Sequence, residues 1–187
     1  MISNELILIT IDMLLLIATI PFLILLIISL IETATIKISY IPIPAHAIQN
    51  ITEEIVMNSN SVCYDLGCGD GRILTALYKR YNGTGTYIGI ELATWPYILA
   101  RKNTKKTHIQ IKKQDIATTN LANATDIICY LCPELMADIE EKAKKECARK
   151  TKIISCDFKM PTLEPIKTIS IKTDQSKRGQ YLYVYEI

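Results

Sequence analysis

The stretch Val62-Cys-Tyr-Asp-Leu-Gly-Cys-Gly-Asp-Gly-Arg72 decides the fold of this chain. A short apolar run ends in Asp65, alternate glycines follow at Gly67, Gly69 and Gly71, and a helix-like stretch runs from Ile73 to Tyr81. That is the pattern of a strand, a tight turn and a helix start. Glycine lets the backbone turn sharply and approach a ligand closely, and the helix start offers N–H donors. The acid before the glycines narrows the choice of ligand. A carboxylate there repels a dinucleotide pyrophosphate and attracts a cationic amino-acid end. S-adenosylmethionine carries such an end, and Asp65, Gly67, Cys68, Gly69, Asp70 and Gly71 are the residues expected to line it.

Two further strand-like runs agree. Gly85–Leu92 carries Glu91 at its end, 24 residues after Gly67. An acid at about that distance after a glycine turn accepts from ribose hydroxyls. Ile109–Ile116 carries Asp115, placed to accept from an adenine amino group. Leu92 and Ile116, the apolar residues after these two acids, complete the expected cofactor set. Acids at three successive strand ends point to a methyltransferase. The plainer alternative is an α/β domain with incidental acids at its strand ends.

Strand and helix signals alternate through most of the chain. Strands are expected at 61–67, 85–91, 109–115, 126–132 and 152–157, and helices at 45–58, 71–81, 95–106 and 134–149. Such alternation builds a parallel sheet covered by helices on both faces. The tail differs: residues 166–172 and 181–187 read as strands separated by turn formers at 173–180, hence an antiparallel hairpin closing one sheet edge. The expectation is a Rossmann-like, seven-stranded, mostly parallel α/β sheet with a C-terminal antiparallel hairpin. The chain divides into an N-terminal membrane anchor (1–32), a connector with a proline-rich loop and a first helix (33–60), and a methyltransferase domain (61–187).

The anchor is read from hydropathy. Hydrophobic residues make up 49% of the 187, and the excess lies at the front. Met13–Ile31 is 19 residues without a charge. At ~1.5 Å per residue such a helix spans a hydrocarbon core of about 30 Å. Residues 6–31 are therefore expected to contact the lipid bilayer as a single-pass transmembrane helix that tolerates Pro21. Asp12 lies at the interface if the span begins at Met13, and inside it if the span begins at Leu6. A buried core helix is the remaining alternative. The first 32 residues hold three acids and no Lys or Arg, which leaves 21 basic and 16 acidic side chains in the remainder. This bias places the domain on the cytoplasmic side, where S-adenosylmethionine is found. Cys129-x-x-Cys132 lies in an apolar run with no second pair, so the six cysteines read as buried thiols of a reducing compartment and no metal is expected.

The expected helix at 134–149 carries Glu140–Lys144 and Glu141–Lys145 at four-residue spacing, which suits a solvated face. Arg101, Lys102, Lys105 and Lys106 cluster at the end of another helix. They either offset the negative helix terminus or form an anionic-lipid or nucleic-acid patch. Ligands of open parallel sheets bind at the C-terminal strand ends, which makes Tyr130, Glu134 and Asp157 the candidate catalytic groups. Each also has a structural reading: Tyr130 as core, Glu134 as a first-turn acid, Asp157 as an acceptor for loop N–H groups.

Four stretches carry a resemblance that covers about residues 38–160. They are Tyr40-Ile-Pro-Ile-Pro44, Tyr64-Asp-Leu-Gly-Cys-Gly-Asp-Gly-Arg-Ile73, Tyr130-Leu-Cys-Pro-Glu-Leu135 and Ser155-Cys-Asp-Phe-Lys-Met160. The chain resembles the small seven-strand protein-lysine methyltransferases. These include an archaeal broad-specificity enzyme and mitochondrial enzymes acting on the adenine nucleotide translocase and the membrane-embedded ATP synthase c-subunit. The resemblance implies a protein substrate with an accessible lysine, possible membrane targets, and cofactor contacts from Tyr40 and Pro42. Ile43 stands where the family has threonine, and Cys156 where it has histidine. After the fourth strand, amino-methyltransferases of adenine and cytosine commonly carry an Asn/Asp-Pro-Pro-aromatic loop; here the place reads Cys132-Pro-Glu134, so a nucleic-acid substrate is not expected. Small-molecule or lipid methylation, and a non-catalytic cofactor-binding scaffold, stay open.

Overall fold

A computed structural model describes residues 4–36, 41–171 and 178–187. The chain forms two compact units, residues 1–39 and 40–187.

The first unit is one helix, α1 (Asn4–Ile36), which continues through Pro21. Its residues from Asn4 to Glu32 are long and apolar enough to cross a bilayer. Large apolar side chains such as Leu14, Ile17 and Phe22 stand exposed along it. Thr10 Oγ1 returns its proton to the Leu6 and Ile7 carbonyls at 2.7 and 2.8 Å, so its hydroxyl is satisfied within the helix.

The second unit is a seven-stranded sheet with helices on both faces. In chain order its elements are α2 (Ala45–Glu54), β1 (Val62–Leu66), α3 (Arg72–Arg80), β2 (Thr86–Glu91), α4 (Thr94–Asn103), β3 (Gln110–Lys113), β4 (Asp126–Cys129), α5 (Pro133–Glu146), β5 (Lys152–Cys156), β6 (Lys167–Ser170) and β7 (Tyr181–Glu186), with a short 3-10 turn at Ile116–Thr118. The strand order is β3-β2-β1-β4-β5-β7-β6. The first five strands are parallel; β7 runs antiparallel to β5 and to β6. The Rossmann-like sheet with a terminal hairpin is thus as the sequence implied.

Two apolar layers hold the helices. Cys63, Ile128, Ile154 and Val184 point to the face covered by α2 and α3, against Ile51, Leu74 and Leu77. Their strand neighbours Tyr64, Ile127, Ile153 and Tyr185 point to the face covered by α5, against Met136, Ile139 and Ala143. This strict alternation is the two-residue period of a strand buried on both faces.

Several elements are shorter than their apolar patterns. The helix expected at 45–58 ends at Glu54 because the next residues alternate in burial: Ile55 and Met57 enter the core while Val56 is 68% exposed. The strand expected at 126–132 ends at Cys129, since the chain must turn there to bring Pro133 to the first position of α5. The strand expected at 109–115 keeps only its four paired residues. Glu140 is a clear correction. It is not on a solvated face but 4% exposed, accepting from Lys144 Nζ at 2.5 Å, from the Thr162 hydroxyl, and from the Thr162 and Leu163 amides at 2.9 and 3.3 Å. Tyr40 and most of the turn expected at 173–180 lie outside the described residues.

Candidate active site

The chain order of the strands reverses between β1 and β4, and ligands of open α/β sheets bind at the C-terminal strand ends beside such a reversal. Residues 66–72 form the turn that leaves β1 there. Gly67 and Gly71 have φ of +71° and +76°, a left-handed conformation in which a side chain is strained. A Cβ on Gly67 would also lie 2.5 Å from Leu131 Cδ2. The Gly67 and Cys68 amides donate to the Ile90 carbonyl at 2.9 and 3.0 Å, which straps the turn to the end of β2.

Glu91 completes the strap. Its Oε2 accepts from the Gly69 amide and its Oε1 from the Ala93 amide, both at 2.9 Å. Asp70 is held by Arg72, with Nε at 2.8 Å and Nη2 at 2.7 Å. Burial favours the protonated Asp70 carboxyl, but Arg72 outweighs it and the group sits below the usual carboxylate range. Arg72 Nη1 also donates to the Ile43 carbonyl at 3.3 Å and ties the proline loop to the glycine turn. From the other side, Asn103 Nδ2 donates to the Asp70 carbonyl at 3.0 Å. Arg72, Asn103 and Leu131 were not singled out from sequence, because only the folded chain brings them to the turn.

Asp65 decides what the turn can hold. It is 1% exposed, and among the described residues its Oδ2 is the buried side-chain oxygen or nitrogen without a hydrogen-bond partner. Burial, then Glu91 and Asp70, push its carboxyl up to about 8. A buried carboxyl oxygen with no partner costs free energy unless a ligand satisfies it. An ammonium does so while neutralising the surplus of acid made by Asp65, Asp70 and Glu91. These residues fit S-adenosylmethionine, whose amino-acid end brings that ammonium.

The remaining expected residues are placed as follows. Cys68 is buried, and its Sγ packs where a Cβ on Gly89 would stand, at 2.7 Å. It therefore presents only its backbone at the turn. Leu92 is exposed beyond β2, and Asp115 caps the 3-10 turn by accepting from the Ala117 amide at 2.8 Å, with Ile116 next to it. Pro42 lies in the loop before α2. Tyr130 follows β4 and packs against the α2–α3 layer; burial, then Cys156 and Asp157, raise its hydroxyl, with Arg178 opposing. Glu134 is exposed in the first turn of α5, where its own amide and the Cys132 thiol hold it below the usual range. Asp157, at φ +66°, accepts from the Gly179, Gln180 and Tyr181 amides at 2.6, 2.8 and 3.3 Å. The described residues expected to bind the cofactor thus lie before α2 and at the ends of β1, β2 and β3, and those expected to be catalytic lie after β4 and β5.

The sequence pattern of the ANTKMT methyltransferase domain matches residues 65–167, more than half of the chain. The chain belongs to this family. This ANTKMT-type domain is 25% identical over 151 residues to a protein-lysine N-methyltransferase of Saccharolobus islandicus, covering 79% of this chain and 93% of that one. It is 24% identical over 144 residues to the adenine nucleotide translocase lysine N-methyltransferase of Mus musculus, covering 75% of this chain and 62% of the mouse protein. In structure it is similar to an RNA methyltransferase of Salinibacter ruber bound to S-adenosyl-L-homocysteine, with a TM-score of 0.70, 25% identity, and coverage of 79% and 94%. The chain is an S-adenosylmethionine-dependent methyltransferase.

Proposed function

We infer that this methyltransferase acts on lysine side chains of proteins, at or near a membrane. The observation that carries the reading is the match to a protein-lysine N-methyltransferase over nearly the whole of that relative's length. When bound, S-adenosylmethionine supplies the methyl group for an in-line displacement by an amine. The residues of this chain hold, orient and exclude. Asp65 and the turn from Gly67 to Gly71 hold the amino-acid end; Glu91 takes ribose hydroxyls; Asp115 takes the adenine edge, between Leu92 and Ile116. The family resemblance adds Tyr40 and Pro42 to the residues that contact the cofactor.

A lysine amine in water has a pKa of ~10.4 and is protonated, so the site must favour its neutral form. Removal from water does this. Tyr130, half-buried beside Cys156, supplies a low-polarity wall with one hydroxyl at its tip. Asp157 contributes through the loop whose amides it gathers, and Glu134 faces solvent where an incoming cationic side chain first meets the site. Proximity and orientation supply up to ~7–11 kcal/mol of such a barrier. Residues 6–31 anchor the enzyme as a single span, with the domain in the cytoplasm where its cofactor is made. A tether raises the effective concentration of targets in the same membrane.

RNA is the second reading, because the Salinibacter ruber neighbour is an RNA methyltransferase. The test offers the full chain, in vesicles, labelled S-adenosylmethionine together with membrane proteins, soluble lysine-rich proteins and RNA. Label on lysine, richest in membrane proteins, is the expected result. Label confined to RNA or lipid overturns the lysine reading.

A further inference from the structure

Between Glu91 and Asp115 the chain has no acid and six cations: Arg101, Lys102, Lys105, Lys106, Lys112 and Lys113. The formal net charge of the whole chain is only +2, so this segment is far more basic than the rest. It builds α4 and β3, and β3 is the outermost strand of the sheet. All six cations are exposed. Edge lysines discourage strand pairing, and cations in the last turn of a helix offset its dipole. Neither reason accounts for the apolar residues on the same surface.

Trp95 is 51% exposed and Ile98 38%. Trp95, Ile98 and Lys102 stand at three- and four-residue spacing and share one face of α4. An indole beside an aliphatic side chain, bordered by several Lys and Arg, is the composition of a surface that rests in a headgroup layer. Ala100 and Thr104 lie within contact distance of Gly71, 3.4 to 3.6 Å from where a Cβ would stand, and Asn103 donates to the Asp70 carbonyl. The face therefore belongs to the same rigid corner as the cofactor turn.

We propose that the surface formed by Trp95, Ile98, Arg101 and Lys102 of α4 and by Lys105 and Lys106 in the turn after it docks on an anionic lipid surface and holds the adjoining cofactor turn at the bilayer. Charge complementarity selects the lipid. The indole and aliphatic side chains enter the interface while the cations meet anionic headgroups, each extended by a flexible stem. An RNA occupant would use Trp95 for stacking but would leave Ile98 without purpose. The proposal rests on residues 6–31 as a span only for delivery of the domain to the bilayer.

Trp95 is the sole tryptophan of the chain, so its fluorescence reports this face directly. The full chain is reconstituted in vesicles of phosphatidylcholine alone and of phosphatidylcholine with phosphatidylserine, each with and without brominated acyl chains. The expected result is a blue shift and bromine quenching of Trp95 in the anionic vesicles. Both fade in high salt, as the screening length falls from ~10 Å at 0.1 M to ~3 Å at 1 M. The quadruple variant R101E/K102E/K105E/K106E should lose shift and quenching yet keep its affinity for S-adenosylmethionine. A chain that floats with neutral vesicles while Trp95 stays solvent-like in anionic ones overturns the docking and leaves the span standing. Quenching in anionic vesicles without flotation in neutral ones overturns the span and supports the docking. Failure of both signals overturns both, and a Trp95 shift given by an RNA oligonucleotide but not by anionic vesicles overturns the lipid in favour of RNA.

Discussion

Asp65 sets the chemistry of the cofactor turn because it is buried before any ligand arrives. Its carboxyl is pushed up to about 8 by burial and by the neighbouring Glu91 and Asp70. In the free protein it keeps its proton below that pH, whereas an ammonium partner favours the carboxylate. Binding of S-adenosylmethionine below pH 8 should therefore release a proton. Calorimetry in buffers of different ionisation enthalpy measures it, and identical heats in all buffers would count against the assignment. The fold is linked to the same group. The folded pKa lies above the unfolded 3.8, so this contribution to stability is fully present below that pH and is lost as pH rises through about 8. Asp65→Asn should flatten that slope in denaturant titrations of the free protein. The same variant should bind the cofactor at least about tenfold more weakly, since a charge-assisted hydrogen bond is worth roughly 1.5–3 kcal/mol. Glu91→Ala should weaken binding by a similar factor, and it also releases the Gly69 and Ala93 amides. Unchanged affinity in the Glu91 variant would remove that residue from the cofactor set.

At the scale of elements, α5 does more than cover a sheet face. Through Glu140 it grips the segment after β5 at Thr162 and Leu163, while Tyr185 of β7 receives the Met160 amide at 2.9 Å. Ser155 and Asp157 hold the same segment from below and from the terminal hairpin. Burial alone would raise the Glu140 carboxyl, but Lys144, Thr162 and the two amides bring it down to about 2. This depressed pKa contributes stability above the unfolded value of 4.5, lost as pH falls from there through about 2. Glu140→Gln should lower the unfolding free energy by about 1–3 kcal/mol at neutral pH, the cost of weakening hydrogen bonds to a buried charge. The difference from the parent should shrink in acid. A denaturant midpoint unchanged at pH 7 would show that the segment is held by its other contacts.

At the scale of the molecule, the chain joins an apolar helix to a catalytic domain that carries six cations and no acid between Glu91 and Asp115. The candidate span of α1 is 0% buried. A span of that composition should resist alkaline carbonate and high salt and yield only to detergent. Full-length protein released by carbonate would instead mean peripheral association. For the same reason, catalytic preference for membrane-borne lysines should depend on the first 32 residues, while the chemistry should not.

The glycine turn, the acids at the ends of three strands, the seven-strand order of signals and the apolar helix were all legible in the sequence. Each is a local pattern: a φ requirement, a strand period, a run of apolar residues. Glu140 and Asp157 were not legible in the same way. A Glu-to-Lys spacing looks alike on a wet face and over a buried loop, and only the return of the segment after β5 across α5 puts Glu140 out of water. Asp157 could be read as a catalytic group or as a loop acceptor until the terminal hairpin brought three amides to it. The same holds for Arg72, which reaches the Ile43 carbonyl from 29 residues away. The sequence by itself determined which backbone turns, which faces are apolar and which acids end a strand, because these are properties of neighbouring residues. Only the tertiary structure decided which charges are dry and which amides they serve, because desolvation and long-range pairing arise once the sheet closes and its loops return.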